Sequence, residues 1–196
     1  MDFKHYLETS WSLTLQYIVP LILLTLVLFG ISILTLGILA PVAMAGYMQS
    51  ILLMVRDGRE PKLQDLLSQM NLFLPLLGFG FVVFIATMVG FMLLLIPGVL
   101  VILGVSFTCI YMLPLMTDQK LGLIDAIKTS YAVSIKGSIA DHSVMIILFL
   151  GIIMIGNAVF IGSLFTQPLA TVFLLLIYDE KIKDLPDNIQ LPVDQL

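Results

Sequence analysis

The sequence predicts an all-α, polytopic membrane fold: six transmembrane helices arranged as three parallel helical hairpins, with short interfacial amphipathic helices between them. Three observations carry this prediction. Sixty per cent of the 196 residues are apolar and 11% are charged, and mean hydropathy is +1.11. A soluble chain of this length needs a charged shell that such a composition cannot supply. The apolar residues gather into stretches of bilayer length, and the charges gather between them in a pattern that fits one side of a membrane.

A spanning helix needs roughly 20 apolar residues at 1.5 Å rise each. No charge stands between Glu8 and Arg56, so Trp11 to Val55 is read as two spans with a break at Gly37 to Pro41. Pro41 suits the first turn of the second span, where its missing N–H costs nothing. The charged loop "RDGREPK" follows, then a third span from Leu72 to Ile96. "IPG" at 96–98 reads as a tight turn, and the fourth span runs from Gly98 to about Thr117. After polar material to His142, the fifth span covers about Ser143 to Gly162. "FTQP" reads as the last break, and the sixth span ends at Tyr178. The stretch 1–178 is thus one six-span domain, and 179–196 is a polar cytoplasmic tail expected to be poorly ordered. "AMA" at 43–45 resembles a signal-peptide cleavage site. However, Asp2, Lys4 and Glu8 ahead of so long an apolar run do not form a positive leader, and no cleavage is expected.

All nine Lys and Arg residues fall before span one, between spans two and three, between four and five, or after six. With six spans these regions share one face. A charge at mid-bilayer costs about 2.5–3.5 kcal/mol, and basic loops stay cytoplasmic. Both termini are therefore expected on the cytoplasmic side of the membrane. Net charge of −4 and a pI near 4.9 argue against nucleic acid as a partner. The single Cys109 excludes an internal disulfide.

An Asp-x-Lys/Arg signal recurs at a spacing of 61 residues: Asp57/Arg59, Asp118/Lys120 and Asp179/Lys181. Each marks the charged exit of an even-numbered span. The chain reads as three copies of one unit, about 1–59, 60–120 and 121–181, which two spans per unit make parallel. The six residues form a candidate cytoplasmic rim that pairs across a pseudo-threefold axis. "ETSW" at 8–11 and "KTSY" at 128–131 enter spans one and five alike. Short stripes precede the spans: Phe3, Leu7 and Trp11; Leu63, Leu66, Leu67 and Met70; Leu123, Ile127 and Tyr131. They predict helices lying among headgroups, with Trp11, Tyr131 and Tyr178 in the aromatic belt.

Chemistry-bearing patterns are sparse. "DHS" at 141–143 holds catalytic residue types, but neighbours on a helix point apart, and Asp141 is expected to cap span five. No nucleophile elbow, zinc motif or phosphate loop occurs. Two histidines and one cysteine do not make a metal site, and no acid stands mid-membrane as a proton relay would need. No catalytic residue, metal or cofactor is assigned. Uncharged polar residues do lie within spans: Gln16, Tyr47, Gln49, Thr108, Tyr111, Asn157, Thr166 and Gln167. They suit hydrogen bonds between helices. Alternatively Tyr47, Gln49, Tyr111 and Asn157 line a pocket for a lipid headgroup or small solute. Gly78, Gly80, Ala86, Gly90, Gly151 and Gly156 read as sites of close helix packing.

Two stretches, 41–67 and 96–137, resemble a broad group of prokaryotic integral membrane proteins. The group includes the YciC-like proteins, families of unknown function, and the membrane domain of some glycerophosphoryl diester phosphodiesterases. Pro97, Gly98, Pro114, Asp118, Gly122, Asp125, Ala126, Lys128 and Ser130 carry the resemblance. It implies a six-helix domain in a prokaryotic plasma membrane and transfers no active site, because the phosphodiesterase chemistry belongs to a separate soluble domain. The expected function is a non-enzymatic membrane scaffold or lipid-associated accessory protein. Its expected partners are membrane lipids and possible further membrane proteins. The alternative is a transporter or substrate-capture subunit, similar in size to the substrate-binding components of energy-coupling-factor transporters, with an enclosed polar pocket.

Overall fold

The computed structural model describes residues 2–135, 138–157 and 160–183. Among them every regular element is helical. Four helical stretches are long and apolar enough to cross a membrane: Leu63–Leu93, Leu95–Asp118, Ile139–Gly156 and Gly162–Lys183. A bent pair near the N-terminus makes a possible fifth.

That pair is α1 (Phe3–Gln16) and α2 (Ile18–Leu34), which meet at 87°. Asp2 starts α1 by accepting the His5 N–H at 3.2 Å. The apolar run therefore divides at Tyr17, and Trp11 stands on α1 rather than opening a span. Leu36 and Gly37, at φ of 51° and 82°, turn the chain into α3 (Ala40–Asp57). Pro41 lies in the first turn of α3, as its chemistry suggests, and Gly58 closes the helix in the left-handed region. The α2 and α3 helices run antiparallel. The Thr25 and Tyr47 hydroxyls meet at 2.9 Å, and the Tyr17 hydroxyl donates to the Gly58 carbonyl at 3.0 Å.

The α3 helix is an inner one, as is the second half of α9. Ten of its residues are buried, against α2, α9, the segment that follows it and the short helix ending at Asp118. Gln49, Ser50, Arg56 and Asp57 keep it out of the apolar-enough class. The next segment was expected as an amphipathic helix with Leu63, Leu66, Leu67 and Met70 on its buried stripe. It forms two 3-10 turns instead, Leu63–Leu67 and Met70–Leu72. Only Leu66 of those four is buried, because the backbone presses directly onto α3. A Cβ at Gly46 would collide with the carbonyls of Asp65 and Leu66.

A hairpin follows, formed by α4 (Phe73–Leu93) and α5 (Leu95–Thr108). Its corner is the extended Leu94, two residues before "IPG", and Pro97 lies in the first turn of α5. The helices cross at Gly90 and Gly98, where a Cβ on Gly90 would come 2.8 Å from the Gly98 Cα. The fourth span is broken. Cys109 to Tyr111 separate α5 from α6 (Met112–Asp118), since Pro114 cannot donate to the Ile110 carbonyl and crowds it.

The remainder is α7 (Leu123–Ile135), α8 (Ile139–Asn157) and α9 (Phe160–Lys183). "FTQP" is not a break. Pro168 lies inside α9, a position that membrane helices tolerate because neighbours and hydroxyls re-satisfy freed backbone groups. The α8 helix ends at Asn157 and α9 begins at Phe160. Gly156 lies under Thr166, and a Cβ on Gly162 would meet the Gly156 carbonyl at 2.8 Å. Gly78, Gly80 and Gly151, also expected to pack closely, have nothing within 4 Å. Of the expected tail, residues 179–183 continue α9 as helix.

The α3 and α9 helices run parallel and in register. Arg56 meets Asp179 at 2.5 Å and Met44 meets Gln167 at 4.0 Å, each pair 123 residues apart.

The buried stripes of the polar helices differ from those expected. On α1, Tyr6, Ser10 and Thr14 face inward, while Trp11 is 51% exposed. On α7 the inward face is Ala126, Ser130, Val133 and Ser134, while Tyr131 is 53% exposed. Small and hydroxyl-bearing residues allow helices to approach and bond across the contact, whereas large apolar groups lose nothing by facing lipid.

Candidate functional site

At the charged end, α3, α6 and α9 bring their last turns together around Arg56. Its guanidinium meets Asp118 with two prongs, Nη1 to Oδ1 at 2.5 Å and Nη2 to Oδ2 at 3.0 Å, and its Nε meets Asp179 Oδ1 at 2.5 Å. Asp118 also accepts from the Tyr178 hydroxyl at 3.0 Å and from Gln119 at 2.7 Å. Asp179 accepts from Lys183 at 2.5 Å. The Asp118 and Asp179 side chains are only 10% and 12% exposed. Their charges therefore depend on this planar, five-donor partner more than surface carboxylates would.

The six residues of the expected rim lie in different settings. Asp118 and Asp179 converge, but through Arg56 rather than through Asp57 or Arg59. Asp57, the last residue of α3, is exposed. Arg59 turns back to Asp65, which also accepts from Ser50 at 2.7 Å and so pins the 3-10 segment to α3. Lys120 is exposed, with φ of 55°. Lys181 leans over the Tyr111 ring, its ammonium 5.3 Å from the centroid. Arg56 was overlooked because the repeat was read at Asp57; one residue along a helix turns a side chain by about 100°.

A second polar cluster repairs the α5–α6 break. Ser130 donates to the Thr108 carbonyl at 2.6 Å and accepts the Tyr111 N–H at 3.2 Å. Ser134 donates to the Phe107 carbonyl at 3.2 Å, and His142 Nε2 lies 3.0 Å from the same oxygen. His142 is buried and stacks edge-on against Phe107, with ring centroids 4.6 Å apart. It is thus separated in role from its "DHS" neighbours. The expected cap of this helix also shifts, since Ser138, not Asp141, accepts the first-turn Asp141 N–H at 3.3 Å. Ser130 was visible in the sequence only as part of a resemblance; its task becomes clear once Pro114 is seen to break the span.

The four candidate ligand residues have separate settings. Tyr47 pairs with Thr25. Gln49 Oε1 and the Tyr111 hydroxyl are buried without a partner among the described residues. Tyr111 packs beside His142 and Tyr178, with centroids at 5.7 and 6.1 Å. Asn157 ends α8, and its side chain lies outside the described residues.

Other residues line two clefts. One, of about 250 Å³, is almost wholly apolar and open on one side, lined by α3, α4, α5, α6, α8 and α9, with Met48, Phe79, Ile110, Phe149, Leu150 and Leu174 among its walls. The other, of about 260 Å³, lies between α1 and the end of α9 and is lined by polar groups, including His5, Thr9, Asp179 and Glu180.

Comparison with protein-family models, curated proteins and solved structures gives no match to any of them. The fold and composition define the class: an all-helical chain with four to five candidate membrane-spanning helices.

Proposed function

We propose that this chain is a non-enzymatic, six-span protein of a prokaryotic cytoplasmic membrane, acting as a lipid-associated accessory or scaffold protein at the inner leaflet. The six spans are α2, α3, α4, the broken α5–α6, α8 and α9, with both termini inside. The α3 helix is counted because it lies antiparallel to α2 and parallel to α9; an inner helix shielded by neighbours needs less apolar surface than one facing lipid.

The observation that carries the reading is the Arg56 junction. It ties together the ends of the second, fourth and sixth spans at sequence offsets of 62 and 123 residues. A threefold repeat of hairpins with a 61-residue period accounts for such offsets. The junction also ties Arg56, Asp118 and Asp179 into ion pairs between helix ends, which favours a closed scaffold over an open solute path.

A substrate-capture role for a small polar solute is the second reading, favoured by the polar-lined cleft between α1 and the end of α9. Native mass spectrometry of the protein extracted with its own lipids tests both. Retained lipid or a co-purifying membrane protein supports the accessory reading, and a stoichiometric polar solute overturns it.

A further inference from the structure

We propose that the apolar cleft and the polar cluster beside it form one binding site for an amphiphile, a hydrocarbon chain with an anionic oxygen head. This rests on the lipid-associated reading above and names its ligand.

The cleft supplies a chain-shaped environment. Its volume, about 250 Å³, exceeds the roughly 150 Å³ of an apolar cavity that stays dry and binds a small hydrocarbon. Ser106 and Cys109 bring its only hydroxyl and thiol side chains. Water has little to bond to there, and the walls belong to candidate membrane spans, so the available occupant is hydrocarbon.

The polar cluster lies one helical turn away, toward the charged end. On α8, His142 stands four residues before the cleft-lining Ile146. On α9, Tyr178 stands four residues after the cleft-lining Leu174, and Tyr111 lies between the cleft-lining Ile110 and Met112. Four residues on a helix are about 6 Å. Two polar atoms of this cluster are buried without partners among the described residues: the Tyr111 hydroxyl, a donor, and His142 Nδ1. Nδ1 is an acceptor because Nε2–H donates to the Phe107 carbonyl, which suits a hydroxyl of the ligand and not its anionic oxygen. Both residues are 0% exposed. Native interiors rarely leave such atoms unpaired without a reason.

The Lys181 ammonium, 5.3 Å from the Tyr111 ring centroid, supplies the positive charge. Tyr178 is committed to Asp118. The Asp141 carboxylate also acts on Lys181, so an anionic head competes with it for that charge. A carboxylate or phosphate oxygen accepting from Tyr111 and Lys181 would satisfy the buried Tyr111 hydroxyl and pair with the ammonium beside its ring. A free fatty acid and an anionic phospholipid share this chemistry.

The test measures binding of radiolabelled oleate, phosphatidylglycerol and uncharged oleyl alcohol to the full chain purified in dodecyl maltoside. The proposal expects saturable one-to-one binding of oleate or phosphatidylglycerol. Oleate alone identifies a free fatty acid, phosphatidylglycerol alone a phospholipid. Lys181→Met should weaken anionic binding at least tenfold and leave oleyl alcohol unchanged. Leu150→Trp, which fills the cleft, should weaken all three, with helix content checked by circular dichroism. Absence of saturable binding, or binding that Lys181→Met leaves unchanged, overturns the site. The accessory reading itself stands or falls separately, on what co-purifies from the membrane.

Discussion

Arg56 holds Asp118 with two nearly parallel hydrogen bonds, 2.5 and 3.0 Å, across 62 residues of sequence. The same guanidinium reaches Asp179, so one side chain joins the ends of three helices. Arg56→Met would leave two largely buried carboxylates facing each other. Breaking a fully buried pair costs 3–5 kcal/mol, and exposed pairs are worth far less. The expected loss for this partly exposed junction is about 2 kcal/mol, read as a lower midpoint of thermal unfolding in detergent. Arg56→Asp combined with Asp118→Arg should recover part of the loss. A single variant as stable as wild type would remove the junction from the account.

Ser130 should matter through the backbone it repairs. Ser130→Ala leaves the Thr108 carbonyl and the Tyr111 N–H without their partner, at a cost of about 1–3 kcal/mol. Hydrogen exchange at the Tyr111 amide should accelerate, while exchange within α3 keeps its protection. Unchanged exchange at Tyr111 would argue against the repair.

Glycines on α8 should divide into two kinds. A methyl at Gly156 collides with Thr166, whereas one at Gly151 meets nothing within 4 Å. Gly156→Ala is expected to destabilise by about 1–3 kcal/mol, as overpacking does. Gly151→Ala should be neutral or slightly stabilising through helix propensity. Equal effects of the two substitutions on thermal unfolding would mean that the α8–α9 turn is placed wrongly.

Gly46→Val should release the 3-10 segment from α3, because the carbonyls of Asp65 and Leu66 occupy the space of its side chain. Limited proteolysis within 59–70 should become faster while helix content stays the same. Resistance equal to wild type would show that the segment is held elsewhere.

These contrasts mark what could be read from the sequence. The helix ends at Asp57 and Asp118 and the turn before Pro41 were legible, because bilayer length and charge placement constrain them strongly. The inward faces of α1 and α7 were not. In a membrane both the outside and the inside of a bundle are apolar, so the stripe of Leu123, Ile127 and Tyr131 does not point to the core. Ser130 and Ser134 do, through carbonyls that only a broken helix exposes. Pro168 misled for a related reason: a rule learned from helices in water overstates the disruption in one held by neighbours. In the candidate site, Asp118 and Asp179 were found by periodicity. Arg56 required knowing which way the last turn of α3 faces.

The most direct test of the six-span topology is cysteine accessibility in a Cys109→Ser background. Single cysteines are placed at Glu60, which is exposed, and at Gly122, which has open space around it. A maleimide that cannot cross membranes should modify neither in intact cells and both in inside-out vesicles. Modification of either position in intact cells would contradict the account.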